Sequence, residues 1–483
     1  MKRIGILSPM FSLPNEFGIG DFSDCSFKFI DYLSSINYSY WQILPLSPVD
    51  KYNSPYASIS SYAIDDIYVS IPKLKEEGYI DNYQIYSNKV KRVNYLKVRR
   101  YKNFYFKLAY DRFISKQDAR EVLKEFIDKQ KWVIEYASYI ALKRKNNNIP
   151  WNQWKQKALT EEELYSLGGF EIFKQYILFK QWDDIHQYAK EHKIDILGDI
   201  PFYVGYDSQD VYFNQKCFLL KEDRSPSKIA GVPPDYYNPD GQLWGNPIYD
   251  WDYQKNNDFS FIINRIIHAS KLYDVVRLDH FRAFDTYYMI DANMDNAKVG
   301  EWKETPSYEL FSKLYYQYPK IRLVAEDLGY LREEVYNLRD RYKLPGMQVC
   351  QFSLIDEEIR HNNLPHVYKR ENSIIYLSTH DSETSMQWYL NLDADTRNSL
   401  NQYLAENYGN HHIMTDLFKY VASQPADTVI LTVWDILRLG RSARINVPGF
   451  ILKKNWTWRF NDFDSLYKNE NKLVKIARDS NRS

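Results

Sequence analysis

The sequence predicts a single (β/α)8 TIM barrel, an α/β fold in which eight parallel strands alternate with helices. Short apolar runs recur along the 483 residues, separated by segments with helical apolar spacing. Several of these runs end in charged residues, as expected where buried parallel strands open at their C-terminal ends. No internal repeat or low-complexity linker divides the chain. We therefore expect one catalytic barrel over residues 1–483, without a separate C-terminal β domain.

The first elements fit this alternation. We predict a strand over Arg3–Leu7, a helix over about 25–36 and a second strand over 40–44, which Pro45 ends. From about residue 73 to 190, apolar residues recur at helical spacing and Lys and Arg fill the other positions. This pattern predicts a mainly helical insertion. Its basic run, KVKRVNYLKVRRYK, is more typical of a solvated helix face than of a binding patch.

The alternation of strand and helix resumes after the insertion. A strand over 194–200 is followed by a loop subdomain, 201–258, which is rich in Pro, Gly, Asn and aromatic residues. A helix over 259–272 leads to the run VVRLDHF. Four further strands are predicted in the segments RLVAEDLG, MQVCQF, SIIYLSTHD and TVILTVWD. The total is eight, the number that closes this type of barrel.

Composition limits the classes of partner. The chain carries 63 basic and 63 acidic residues, so no net charge attracts nucleic acid or an anionic membrane. The three cysteines are widely spaced and odd in number, which favours a reducing compartment. The N-terminus has no signal-peptide pattern, and no apolar run reaches membrane-spanning length. We expect a soluble cytoplasmic protein with a neutral substrate and no nucleic-acid or membrane partner.

Three carboxylates end predicted strands: Asp279, Glu326 and Asp381. Cleaving an acetal needs one ionised carboxylate to attack the anomeric carbon and one protonated carboxyl to donate to the leaving oxygen. Arg277 lies on the same strand face as Asp279 and would keep it charged, whereas apolar neighbours would raise the pKa of Glu326. His380, beside Asp381, would supply a donor for sugar hydroxyls. The three acids together favour a retaining glycosidase site.

Other interpretations of these acids exist. Each acid alone is equally typical of a helix cap or a salt bridge at the barrel rim. A metal-assisted barrel enzyme would also use three acids, but no histidines with ligand spacing accompany them. We therefore expect neither a metal nor a cofactor.

The motifs resemble those of the 4-α-glucanotransferases (amylomaltases, disproportionating enzymes), family 77 of the glycoside hydrolases in the α-amylase clan. The resemblance runs nearly end to end. Its most specific stretches are PPDY…GQLWGNP and RLDHFR, and the others follow in the family's order: SLPNEFGIGDF, WQILPLSP, SPYASISSYA, ILGDIPFYVGYDSQDVY, VAEDLG, STHDSET and NWTWR.

The resemblance implies transfer of α-1,4-glucan segments between maltooligosaccharides by double displacement, with retention. It implies that Asp279 is the nucleophile, Glu326 the acid/base and Asp381 the ligand of the sugar's 2- and 3-hydroxyls. It also implies a set of substrate-binding residues, in which the tyrosine pair belongs to a lid loop over the acceptor side and the tryptophan follows that loop: Arg277, His380, Asp199, Tyr56, Tyr236, Tyr237 and Trp244.

The chain departs from the family pattern in three places. Ile64-Asp65 replaces a glycine-asparagine pair, Trp434 stands where glutamine is common, and residues 444–456 read RINVPGFILKKNW. None of these changes removes an acid, but they bear on the outer subsites. Two alternatives stay open: an α-glucan hydrolase on the same scaffold, and an inactive carbohydrate-binding protein. The sequence does not predict the oligomeric state.

Overall fold

The structure is a computed structural model that describes residues 2–86, 91–234, 239–329, 331–354, 370–409 and 411–482. Its centre is a closed barrel of eight strands, all paired in parallel. In barrel order the strands are β1 (Arg3–Leu7), β2 (Tyr40–Gln42), β3 (Asp195–Ile200), β6 (Val275–Leu278), β9 (Leu323–Ala325), β10 (Gly346–Val349), β11 (Ser373–Tyr376) and β12 (Thr428–Thr432). The predicted (β/α)8 barrel is confirmed.

Helices surround the barrel. Those that connect successive barrel strands are Asp24–Ser35, Gly169–Glu191, Ser260–Leu272, Ser307–Gln317, Glu333–Arg341, Cys350–Ser353, Ile413–Ser423 and, after β12, Glu470–Asp479. The remaining helices are Ile71–Glu76, Tyr95–Ile114, Ala119–Lys129, Trp132–Lys145, Glu161–Glu163, Gln209–Phe213, Trp251–Asn256, Ser385–Asn391, Ala394–Tyr408, Val433–Ile436 and Asp464–Tyr467. Within the described residues, no helix is long and apolar enough to cross a membrane.

A second sheet, which the sequence analysis did not predict, stands beside the barrel mouth. It is antiparallel, in the order β5-β4-β7-β8. Its strands are β4 (Lys228–Val232), β5 (Gln242–Pro247), β7 (Thr286–Asp291) and β8 (Glu301–Glu304). β8 is fully exposed and β5 is largely exposed, so neither has the continuous buried apolar run by which the barrel strands were recognised. β7 does contain a buried apolar run, TYYMI, which the sequence analysis did not recognise as a strand.

The region between β2 and β3 contains three helices that pack against Gly169–Glu191: Tyr95–Ile114, Ala119–Lys129 and Trp132–Lys145. The helix Gly169–Glu191 itself contacts β3 and the helix Asp24–Ser35, so it belongs to the outer layer of the barrel. The interpretation of the basic run as a solvated face is wrong for two of its residues. Lys102 is buried against Asp21 (2.5 Å), and Arg99 forms a two-pronged ion pair with Asp65 (2.7 Å each). Carboxylates distant in sequence compensate these charges.

Candidate active site

The three predicted acids lie at the C-terminal end of the barrel. Asp279 directly follows β6, Glu326 directly follows β9, and Asp381 lies in the loop between β11 and the helix Ser385–Asn391. All three line one cleft of about 650 Å³. The strand before Asp381 ends at Tyr376, earlier than predicted, so this acid is held by a loop rather than by a strand.

Arg277 links two carboxylates on neighbouring strands. Because Asp199 of β3 is the register partner of Arg277 on β6, their side chains meet, with Arg277 Nη1 2.7 Å from Asp199 Oδ2. The same Nη1 lies 2.8 Å from Asp279 Oδ1. Burial raises the pKa of Asp199, although the Arg277 charge opposes that rise. The guanidinium thus lies between the carboxylates of Asp199 and Asp279 and forms an ion pair with each.

Glu326 has a different environment. Its backbone N–H donates to the Leu278 carbonyl, which continues the pairing of β6 and β9 beyond the strands. Burial, supported by the nearby charge of Asp279, raises the pKa of its carboxyl to about 8. The backbone N–H of His280 donates to Glu326 Oε2 (2.8 Å). His280 adopts a left-handed conformation, φ 51°, which is uncommon outside glycine, at the point where the chain turns from β6 into the short helical turn Phe281–Phe284.

Asp381 lies beside His380 and accepts a hydrogen bond from Asn446. Burial favours its neutral form, but His380 Nε2 at 3.1 Å and Asn446 Nδ2 at 2.7 Å outweigh that effect and lower its pKa to about 2. Tyr56 Oη donates to Asp199 Oδ2 (2.7 Å) and lies 2.8 Å from His380 Nε2. Because the single tyrosine proton is used on Asp199, His380 must donate from Nε2. A chain of hydrogen bonds therefore joins Arg277 through Asp199 and Tyr56 to His380, whose Nε2 lies 3.1 Å from Asp381.

Trp244 closes one side of the cleft. Its ring stands edge-on to that of His280, with 4.9 Å between centroids, and the side chain is 37% exposed. A sugar ring bound in such a cleft would stack on the exposed face of an aromatic side chain. Tyr236 and Tyr237 of the predicted lid lie outside the described residues.

The residues that the sequence analysis did not single out are Asn446 and His280. Asn446 hydrogen bonds to Asp381, and Asn455 Nδ2 in turn donates to Asn446 Oδ1 (2.8 Å). Both asparagines lie in the segment 444–456, which drew attention only as a departure. The position of this segment in the sequence does not indicate that it folds back over the loop after β11. Only the family motif could have indicated the contact between Asn446 and Asp381.

The similarity of this chain to known proteins covers all the residues of the site. A family model described as 4-alpha-glucanotransferase, glycoside hydrolase family 77, matches residues 8–465. The chain belongs to this family. The 4-alpha-glucanotransferase of Aquifex aeolicus is 36% identical over 473 residues, 96% of each chain, and that of Clostridium butyricum is 36% identical over 487 residues, 97% of this chain and 98% of the other. Membership confirms the resemblance and the expectation of an enzyme of the glucanotransferase class.

Solved structures give the same result. The amylomaltase of Streptococcus agalactiae in complex with acarbose has a TM-score of 0.94 at 32% identity, covering 100% of both chains. The amylomaltase of Corynebacterium glutamicum has a TM-score of 0.77 at 16% identity, which supports the fold alone. This family 77 chain thus shares the barrel and its surrounding elements with the Streptococcus agalactiae enzyme.

The departures from the family pattern have structural partners. Asp65, which replaces the family's asparagine, is buried and ion-paired with Arg99. Trp434 is buried and its Nε1 donates to Ser378 Oγ (3.1 Å). In the segment 444–456, Phe450 is 64% exposed and lines the cleft that contains the acids. The first two changes are packed into the interior, and only the third alters the cleft surface.

Proposed function

We propose that this family 77 enzyme transfers α-1,4-glucan segments between maltodextrins by double displacement, with retention at the anomeric carbon. The observation that carries the proposal is the contrast between two carboxyls in one cleft. Asp279 is ion-paired with Arg277, whereas burial raises the pKa of Glu326. One nucleophilic carboxylate and one carboxylic acid are the groups that a retaining glycosidase needs at neutral pH.

In the first half-reaction, the Asp279 carboxylate attacks the anomeric carbon of a donor glucan. The glycosidic bond breaks as Glu326 donates its proton to the leaving oxygen, and the released chain carries a new 4-hydroxyl. The product is a glycosyl ester on Asp279, with Glu326 now ionised. The loss of one negative charge from Asp279 in this ester favours the ionised Glu326 that the next step requires.

In the second half-reaction, the 4-hydroxyl of an acceptor glucan attacks the same carbon. Glu326 takes the hydroxyl proton, the new α-1,4 bond forms and the Asp279 carboxylate is released. Trp244 would stack against the acceptor ring and exclude water, which favours transfer over hydrolysis. Tyr236 and Tyr237 are expected to act with it in the lid.

Asp381 would bind the 2- and 3-hydroxyls of the sugar at the cleavage point. Its low pKa keeps it an acceptor of hydrogen bonds at neutral pH. His380 and Asn446 hold its two oxygens in position. Through Tyr56 and Asp199, the same chain of hydrogen bonds orients Arg277 toward Asp279. His380, Asp199 and Tyr56 would thus act by positioning Asp381 and Arg277, and the proposed steps use no cofactor.

The test of the proposal is incubation with maltotriose, following product lengths and total reducing ends. We expect glucose and longer maltodextrins while the number of reducing ends stays constant. A steady rise in reducing ends would instead mean that water is the main acceptor and that the enzyme is a hydrolase. Unchanged maltotriose would contradict the proposal altogether.

The pH dependence of kcat/KM provides a separate prediction. Glu326 must be protonated for the first half-reaction, and its pKa is raised to about 8. Glu326 is therefore about nine-tenths protonated at pH 7 and loses its proton as the pH rises through about 8, so kcat/KM should fall about tenfold per pH unit above that value. An ordinary glutamate would place this limb near pH 4.

The control uses α-glucosyl fluoride as donor, because fluoride leaves without a proton. The rate of the first step with this donor should show no alkaline limb near pH 8. An identical limb with both donors would assign the titration to a group other than the acid catalyst.

A further inference from the structure

A second cavity of about 530 Å³ lies apart from the catalytic cleft and shares no lining residue with it. It is formed where the segment after the helix Val433–Ile436 meets residues 458–469 and 91–92. Within the described residues, its lining includes no carboxylate but five cationic side chains: Lys91, Arg92, Arg438, Arg459 and Lys468.

Neutral groups hold Arg92 in place. Arg92 donates to the carbonyl oxygens of Lys454 (3.1 Å) and Ser442 (2.6 Å). These oxygens satisfy the N–H donors of the guanidinium but carry no formal charge, so they leave its positive charge in place.

Three further cations line the cavity. Lys91, Arg438 and Lys468 form no ion pair with any described residue. Asp462 accepts hydrogen bonds from the Ser465 hydroxyl (2.7 Å) and backbone N–H (2.8 Å). These bonds lower the pKa of Asp462, and the charge of Lys468 lowers it further. The cavity therefore concentrates positive charge.

The positive charge of Arg438 also affects two neighbouring basic groups. Burial and then the charge of Arg438 lower the pKa of both Lys472 and His412. The same positive charge would stabilise an anion bound in the cavity.

The cavity also has an apolar wall. Ile436, Leu437 and Leu439 line it together with the rings of Trp458 and Phe460. Its volume falls within the range of small-molecule pockets, roughly 300–1,000 Å³, and so has room for an organic group as well as an oxyanion.

We propose that this cavity binds an organic phosphate monoester, such as a phosphorylated sugar. Arg438 and Lys468 would contact the phosphate oxygens, since guanidinium and ammonium groups are the side chains suited to phosphate. The apolar wall would pack against the carbon skeleton. This site is independent of the proposed transferase mechanism.

Calorimetric titration of the intact enzyme tests the proposal, with glucose 6-phosphate, inorganic phosphate and uncharged glucose as probes. We expect saturable binding of the sugar phosphate, weaker binding of inorganic phosphate, and a loss of affinity at high salt. If neither anion gave a saturable heat of binding, the proposed site would be wrong. Equally tight binding of inorganic phosphate would overturn its assignment to an ester.

Two variants test the residues. Arg438→Gln and Lys468→Gln should each weaken sugar phosphate binding about tenfold, the effect of one charged hydrogen bond. Arg100→Gln is the matched control, because Arg100 is exposed on the helix Tyr95–Ile114, away from the cavity lining. Maltotriose transfer without phosphate should be unchanged in all three, which also verifies folding. Wild-type affinity in both cavity variants would contradict the proposal.

Discussion

Replacing Asp279 by Asn is expected to reduce the rate of glucan transfer by roughly 10⁴-fold or more. The amide occupies the same space and can keep a contact with Arg277, but it has no charge and cannot form the glycosyl ester. Steady-state transfer from maltotriose measures the loss. Asp128→Asn, an exposed position on the helix Ala119–Lys129, is the charge-matched control and should leave the rate unchanged.

A second variant separates loss of the nucleophile from loss of structure. Asp279→Ala opens a space beside Arg277 that a small anion such as azide can enter. With α-glucosyl fluoride as donor, azide should attack from the Asp279 side of the sugar and yield the β-glucosyl azide. Recovery of the α-azide, or no increase in rate with azide in a folded variant, would contradict the assignment of Asp279 as the nucleophile.

The barrel could be predicted because its signals are local. Each barrel strand carries its own apolar run, and Asp279 and Glu326 directly follow such runs. Strand direction alone then brings the two acids to one end of the barrel. For Asp381, the prediction depended on a strand that ends earlier than expected, at Tyr376, and on the family motif.

The parts that escaped prediction depend on contacts between distant segments. The antiparallel sheet pairs β4 with β7, which are separated in the chain by β5, two α-helices and β6. The burial of Lys102 depends on Asp21, more than eighty positions away (|i−j| = 81). Asn446 reaches Asp381 across a separation of 65 residues. A local sequence pattern carries no information about such partners, because their contact energy arises only after the chain has folded.

Glu326→Gln is expected to affect the reaction according to the leaving group. With maltotriose, the variant cannot protonate the departing sugar, so transfer should fall roughly 10²–10⁴-fold. With α-glucosyl fluoride, formation of the glycosyl ester on Asp279 needs no acid and should proceed near the wild-type rate. Rapid quenching and mass measurement of the protein should then detect the ester, because the base that activates the acceptor is missing.

The stereochemistry of rescue distinguishes the two acids. In Glu326→Ala, azide should attack the glycosyl ester from the face that the leaving group vacated, and the product should be the α-azide. The Asp279→Ala variant should give the opposite anomer from the same donor and the same nucleophile. Two variants of one cleft that give two different anomers require one carboxyl on each face of the sugar. If both variants gave the same anomer, the division of roles between Asp279 and Glu326 would be wrong even if both were essential for transfer.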